Sequence, residues 1–171
     1  MRLQIARVPV PILGAVCLAA SPYGLVRVHL GDELARFERE VREAFPEATL
    51  VRSGPSTREA GRAIRDYLAG GPDPKHLPVV LPEDSFSARV WREIRKIPRG
   101  EVRAYARLAK ALRCPGAARA VGQACGRNPL PLVVPCHRVV SSDGGLGGFT
   151  GDLRWKKKLL ELEGVLIGAH A

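Results

Sequence analysis

A cysteine and a histidine stand side by side at Cys136 and His137, inside a proline-rich apolar segment, residues 128–140, that leads into a glycine-rich stretch, residues 141–151. A thiolate is a strong nucleophile, but a thiol with the ordinary pKa of about 8.5 needs a base or a cation nearby to react at neutral pH. His137 and Arg138 are candidates for that role. We predict that residues 128–140 form a strand that delivers Cys136 into the glycine-rich loop. Neighbouring side chains of a strand point to opposite faces, so contact between Cys136 and His137 requires a turn or a bridging water.

The cysteines of the chain are Cys17, Cys114, Cys125 and Cys136. They are too widely spaced for a disulfide scaffold or for the paired ligands of a zinc site. We therefore expect free thiols in a reducing, cytoplasmic compartment, and neither a metal nor another cofactor. Pro9, Pro11 and Gly14 interrupt the apolar opening of the chain, so neither a targeting segment nor a membrane span is predicted.

Basic residues outnumber acidic ones, and their excess lies in the second half of the chain. There are 27 Lys and Arg against 17 Asp and Glu, a net charge of +10. Residues 1–82 carry 11 basic and 9 acidic residues, whereas residues 83–171 carry 16 and 8. This distribution favours an anionic partner for the second half. Chain breakers at residues 70–74 and at Leu81-Pro82 predict a linker between two domains, residues 1–82 and 83–171.

The first domain has the pattern of a small α/β unit. Gly14–Ala20 and Gly24–Leu30 are short apolar runs around a turn signal and predict a hairpin. A helix capped by Asp32, a strand at Thr49–Arg52 and a helix capped by Ser56 complete the prediction. No catalytic grouping is present, so this domain is expected to be a scaffold.

The second domain is predicted to be mainly helical. Phe86, Val90, Ile94 and Ile97 recur at helical spacing after the cap candidates Asp84 and Ser85. A second apolar stripe passes through Tyr105 and Leu108, and a break at residues 114–116 precedes another helical segment, Ala117–Cys125. This arrangement is typical of a helix-turn-helix.

The segment Ala117–Cys125 departs from ordinary groove-reading helices because few of its side chains can read bases. Its small residues Ala118, Ala120 and Gly122 would permit close approach to a narrow groove, leaving Arg119 as the one long projection. The alternative is an Ala/Gly helix packed against another helix.

The segment Pro135-Cys136-His137-Arg138-Val139-Val140 resembles the active-site sequence of the O6-alkylguanine-DNA alkyltransferases, or methylated-DNA–protein-cysteine methyltransferases. Upstream, residues 97–102 and 117–122 are similar to the helix-turn-helix of that family. Downstream, the glycine-rich loop and residues 159–164 are similar to its C-terminal helix. The resemblance is strong over residues 83–165 and loose over residues 1–82.

The resemblance implies a role for each matching residue. Cys136 would accept the alkyl group, His137 would act as a water-linked base, and Glu163 would orient His137. Tyr105 would donate a hydrogen bond to the flipped guanine, and Arg119 would fill the space that the base leaves. Asn128 would be a hinge before the active-site segment, and the base pocket would be lined by Val139, Phe149 and Thr150. Phe149 stands where a tyrosine is common in the family.

The resemblance implies DNA repair by irreversible, single-turnover transfer of an alkyl group from O6-alkylguanine, and possible activity on O4-alkylthymine, in double-stranded DNA. The protein is expected to act as a monomer without a cofactor. Two alternatives belong to other classes. One is a binding module, either a helix-turn-helix regulator or a non-catalytic lesion-recognition protein, against which Cys136 argues. The other is a Cys-His hydrolase, which the basic second half disfavours.

Overall fold

The computed structural model describes residues 1–82 and 84–166, which fall into two compact units, residues 1–81 and a second unit that starts at Pro82. Both strands and helices occur, in agreement with the mixed α/β class predicted from the sequence. Within the described residues, no helix combines the length and the apolar composition that crossing a membrane requires.

The first unit is a sheet with helices on its two faces. Its elements are β1 (Arg2–Val10), β2 (Gly14–Ser21), β3 (Gly24–Leu30), α1 (Leu34–Ala44), β4 (Thr49–Arg52) and α2 (Pro55–Leu68), followed by a 3-10 turn at Pro74–His76. The strand order is β3-β2-β1-β4, with β4 parallel to β1 and the other neighbours antiparallel. Leu3 and Ile5 of β1 pack with Phe37 and Val41 of α1 in a buried core.

Helix α2 lies against the other face of β1, and two contacts fix it there. A Cβ at Gly61 would lie 2.9 Å from a Val8 methyl, so only glycine permits this approach. Gln4 Oε1 accepts hydrogen bonds from the backbone N–H groups of Ser56 (3.0 Å) and Thr57 (3.3 Å), which satisfies the first turn of the helix.

The predicted hairpin, helices and strand are all present in the first unit, but both predicted caps are wrong. Asp32 pairs with Arg7 instead of capping α1, whose N-cap residue is Glu33. Helix α2 begins one residue before Ser56, at Pro55, because the fixed φ of proline suits the first helical position. Strand β1 was not predicted, although Leu3 and Ile5 alternate with more polar residues as a half-buried strand requires.

The second unit is mainly helical. Its elements are α3 (Phe86–Ile94), β5 (Arg103–Ala104), α4 (Tyr105–Ala111), α5 (Ala118–Gly126), a 3-10 turn (Cys136–Arg138), β6 (Val139–Val140) and α6 (Leu153–Leu162). Ser85 caps α3 by accepting the Ala88 N–H at 3.0 Å. The buried Trp91 indole donates to the Ala124 carbonyl at 2.8 Å, which joins α3 to α5.

The predicted proline-rich strand over residues 128–140 is wrong except for its last two residues. Only Val139 and Val140 form a strand, which pairs in parallel with Arg103 and Ala104 of β5. Upstream the chain runs in turns, since prolines lack the N–H that a ladder needs and Leu132 has a left-handed φ of 76°.

Candidate active site

The chain turns at the cysteine, so Cys136 and His137 share one 3-10 turn instead of lying on opposite faces of a strand. Both are buried, with 1% and 0% of their surface exposed. Asn128 closes the preceding loop: its side-chain amide donates to the Val134 carbonyl at 2.8 Å, and its oxygen accepts the Leu130 N–H at 2.9 Å. The buried side chain of Asn128 therefore replaces the strand pairing that this segment lacks.

The Cys136 sulfur lies 3.7 Å from the Thr150 hydroxyl. That hydroxyl donates its hydrogen to the Cys125 carbonyl at 2.8 Å, so the neutral thiol is the donor in the contact between Cys136 and Thr150. Burial raises the pKa of the Cys136 thiol above its usual range, and polar contacts with Asn128 and Thr150 and the charge of Lys156 oppose that rise. The resting group is thus a thiol that needs a base.

A buried carboxylate lies behind the cysteine turn. Glu163 Oε1 is 2.8 Å from His137 Nε2, and neither side chain is exposed. The Arg138 guanidinium, also fully buried, contacts Glu163 Oε1 at 2.7 Å and Oε2 at 3.0 Å and donates to the Ile97 carbonyl at 2.8 Å. Glu163 therefore fixes both residues that follow Cys136.

Tyr105, the first residue of α4, lies beside the glycine-rich loop. Its hydroxyl accepts the Gly148 N–H at 3.0 Å and donates to the Gly148 carbonyl at 3.3 Å. A Cβ at Gly147, where φ is +69°, would lie 2.5 Å from the hydroxyl oxygen, so this close approach requires glycine. Burial raises the pKa of Tyr105 to about 12, so the phenol stays protonated and able to donate at neutral pH.

Lys156 is fully buried although it opens a run of three lysines. Its ammonium group donates to the carbonyl of Val139 at 2.7 Å, to that of Gly148 at 2.7 Å and to that of Leu146. It thereby ties the glycine-rich loop to strand β6. Burial lowers the pKa of Lys156 to about 8, while the nearby thiols of Cys136 and Cys125 act in the opposite direction.

The remaining predicted residues differ in exposure. Arg119 on α5 is exposed, whereas Ala118, Ala120 and Gly122 are half-buried. A Cβ at Gly122 would lie 3.8 Å from the Tyr105 ring, so this small residue packs beside the tyrosine. In the candidate pocket, Val139 is buried and Phe149 half-buried.

Among residues 1–82 and 84–166, no group of three or more His, Cys, Asp or Glu side chains is arranged to hold a metal ion. Cys17 and His29 are cross-strand partners in the first unit. There the Cys17 thiol donates to the Gly31 carbonyl at 3.7 Å, and His29 Nε2 contacts Glu33 at 2.7 Å.

Comparison with known proteins identifies the family. Residues 85–165 match the family model of the 6-O-methylguanine DNA methyltransferase DNA-binding domain. A methylated-DNA–protein-cysteine methyltransferase of Methanosarcina acetivorans is 45% identical over 154 residues, covering 89% of this chain and 93% of the relative. The chain belongs to the methylated-DNA–protein-cysteine methyltransferase family. The resemblance inferred from residues 83–165 is thereby confirmed.

Other family members agree with this assignment. The chain is 36% identical over 151 residues to the bifunctional transcriptional activator and DNA repair enzyme Ada of Escherichia coli, but spans only 43% of its length. A crystal structure of Mycobacterium tuberculosis OGT in complex with DNA superposes with a TM-score of 0.77 at 31% identity, covering 95% of this chain and 92% of that one.

Within this family member, the structure brings most of the predicted catalytic residues together. His137 and Glu163 form one buried contact, Cys136 precedes His137 in the same 3-10 turn, and Thr150 contacts the cysteine. Arg119 is not part of that network, because its exposed side chain lies on the surface of α5. Sequence reasoning named Arg138 as a candidate for activating Cys136 but did not foresee its ion pair with Glu163, and it missed Lys156 altogether. A charged residue next to the cysteine in an otherwise apolar segment was the available signal for Arg138.

Proposed function

We propose that this chain repairs DNA by moving an alkyl group from O6 of guanine to the sulfur of Cys136, once per molecule. The observation that carries the proposal is the buried turn that holds Cys136 next to a His137 fixed by Glu163, in a chain of this family. Sulfur is a soft nucleophile suited to attack at saturated carbon. The thioether product offers water no electrophilic carbonyl, so the enzyme does not turn over.

The transfer step needs no cofactor, because the bonds that form and the bonds that break account for every atom and electron pair. The Cys136 thiol gives its proton toward His137 through water, and the thiolate forms a carbon–sulfur bond as the carbon–O6 bond breaks. The electron pair of that bond stays on guanine, which takes up a proton in turn. Glu163 supports the step because a carboxylate beside His137 stabilises the imidazolium that forms.

Tyr105 would donate its hydroxyl hydrogen to the base and so improve the leaving group. In the unliganded protein that hydrogen is directed to the Gly148 carbonyl at 3.3 Å. Donation to a base therefore requires the hydroxyl to rotate away from Gly148, at the loss of one long hydrogen bond. The raised pKa of Tyr105 keeps the hydrogen available.

Binding to duplex DNA is assigned to the second unit, with α4 and α5 as a helix-turn-helix. The small residues Ala118, Ala120 and Gly122 let α5 approach the duplex, and the exposed Arg119 would occupy the gap left by a flipped nucleotide. Flipping costs a few kcal/mol, which contacts to phosphates offset. Val139, Phe149 and Thr150 would line the pocket for the base, with Asn128 as the hinge before it.

We propose that the protein reacts as a monomer and that it does so in the cytoplasm. Cys17, Cys114, Cys125 and Cys136 are all free thiols, which fits a reducing compartment. No metal or other cofactor has a part in the proposed step. The guanine lesion is the proposed substrate, and O4-alkylthymine is a second candidate for the same pocket.

Mass spectrometry after incubation with O6-methylguanine duplex DNA tests the proposal. We expect each molecule to gain one methyl group in place of a hydrogen, on Cys136, with one equivalent of DNA repaired. Unmodified protein on bound DNA would instead indicate a binding module. Repeated turnover without a mass change would indicate a hydrolase.

A further inference from the structure

The first unit, which has no part in the proposed chemistry, carries a row of arginines on α2. Arg58, Arg62 and Arg65 recur at helical spacing, so they share one face of the helix. All three are exposed. They border a groove of about 310 Å³ between α2 and strand β1, whose lining contains no acidic side chain.

These three side chains make no ion pair or hydrogen bond with any residue that the structure describes. Arginines elsewhere in the same unit are paired: Arg36 lies 2.9 Å from Glu40, and Arg42 lies 3.1 Å from Glu38. Arg7, which also lines the groove, is paired with Asp32. Among the described residues, the positive charge of the groove that is not held in an ion pair therefore comes from α2.

The acidic residues of α2 lie toward another surface. Glu59 and Asp66 line a separate cavity, which they share with Arg62, Pro72 and His76. Arg62 thus lines both cavities, whereas Arg58 and Arg65 line the groove and not the second cavity.

The geometry favours an extended chain of anions over a small phosphate. The backbone N–H groups of Ser56 and Thr57, which could bind one phosphate at the start of α2, are already bonded to Gln4. From Arg58 to Arg65 the helix rises about 10 Å, at about 1.5 Å per residue. One DNA strand carries a phosphate about every 3.4 Å of helix axis, so about three phosphates match this length.

The floor of the groove argues against a protein partner and against reading of bases. It is formed in part by Ala6, Val8 and Gly61 and has no aromatic side chain. Protein interfaces are anchored by buried aromatic residues, and single-stranded bases stack on them. The sugar-phosphate backbone of a duplex can be bound without aromatic side chains.

We propose that this α2 groove, defined by Arg58, Arg62 and Arg65, is a second DNA-binding surface that contacts the phosphodiester backbone without reading sequence. The inference rests on the proposed function, because it takes duplex DNA as the ligand. The first unit then contributes to the affinity for undamaged DNA and takes no part in the chemistry.

The test compares two triple variants of the full chain. In the groove variant, Arg58, Arg62 and Arg65 are replaced by glutamine. In the matched control, Arg36, Arg39 and Arg42 of α1 are replaced by glutamine, which removes the same charge from the same unit. Binding of an undamaged duplex several helical turns long is measured by fluorescence anisotropy over a series of salt concentrations.

Each neutralised phosphate contributes about 0.9 to the slope of log affinity against log salt concentration. We expect the groove variant to lose about 2.7 from that slope and the control to keep the wild-type slope. Both variants should alkylate Cys136 with free O6-benzylguanine at the wild-type rate, because that reaction needs no DNA.

An unchanged slope in the groove variant, or the same loss in the control, would overturn the proposal. A wild-type protein that is a dimer without DNA, together with a groove variant that is a monomer, would also overturn it. The groove would then hold a second copy of the chain. A wild-type protein that binds no duplex at all would refute the proposed function instead.

Discussion

Replacing Arg138 by methionine tests whether the buried carboxylate network stabilises the active site. Arg138 and Glu163 are both fully buried, and the guanidinium contacts the carboxylate at distances of 2.7 to 3.2 Å. Removing the cation leaves Glu163 as a buried charge without its guanidinium partner. The cost of breaking a buried pair in this way is about 3–5 kcal/mol.

The chain offers a close control. Arg154 contacts Asp152 with almost the same geometry, at 2.7, 3.1 and 3.2 Å, but its side chain is 86% exposed. Water and salt screen such a pair, so the Arg154→Met variant should lose little or no stability. The two variants remove the same group from the same kind of partner and differ in burial.

Urea unfolding at pH 7 measures both variants. Because small domains are stable by about 5–15 kcal/mol, we expect a large fall in the midpoint for Arg138→Met with an unchanged slope, and almost none for Arg154→Met. Equal shifts would refute the reasoning. A double variant, Arg138→Met with Glu163→Leu, should be more stable than Arg138→Met alone, because no carboxylate then remains buried without its arginine. A less stable double variant would contradict the proposed cause.

Three further predictions concern the reaction itself. Cys136→Ser should abolish alkyl transfer while DNA binding in a gel-shift assay stays near wild type, since a hydroxyl is a poor nucleophile of similar size; transfer at the wild-type rate would remove Cys136 from its role. Arg119→Ala should slow repair of duplex O6-methylguanine far more than alkylation by free O6-benzylguanine, and an unchanged ratio of the two rates would exclude the gap-filling role. Because burial raises the pKa of Cys136, a His137→Gln variant, which lacks the proposed base, should depend on free thiolate, and its rate with O6-benzylguanine should rise between pH 7 and 9 by up to about tenfold per unit; a plateau in that variant would mean that the thiolate forms without His137.

Much of the site could be predicted because its residues lie in one short, unusual stretch. Cys136, His137 and the glycine-rich loop are contiguous in sequence, and the family resemblance linked them to Glu163, which the structure places 2.8 Å from His137. The functional roles of these residues stay predictions. The turn at Cys136 was foreseen only as an alternative to a strand, because apolar runs with prolines fit both.

The burial and the partners of Lys156 and Arg138 could not be predicted from the sequence. Both depend on acceptors far away in sequence, such as Gly148 for the lysine and Glu163 for the arginine. A lysine in the run Lys156-Lys157-Lys158 has the pattern of a solvated helix face, and local sequence does not reveal which of the three is buried. Burial of a cation is a property of the assembled fold.

The short ladder between β5 and β6 divides the site into a rigid part and an adjustable part. Arg103 and Ala104, which lead directly into Tyr105, are paired with Val139 and Val140, which follow directly from the cysteine turn. The start of α4 and the cysteine turn are therefore joined through one short ladder. The loop of residues 143–150 lies outside that ladder and is tied to β6 through the ammonium of Lys156. Adaptation to bulkier alkyl groups should therefore come from changes in this loop, while the distance between Cys136 and the start of α4 stays constant.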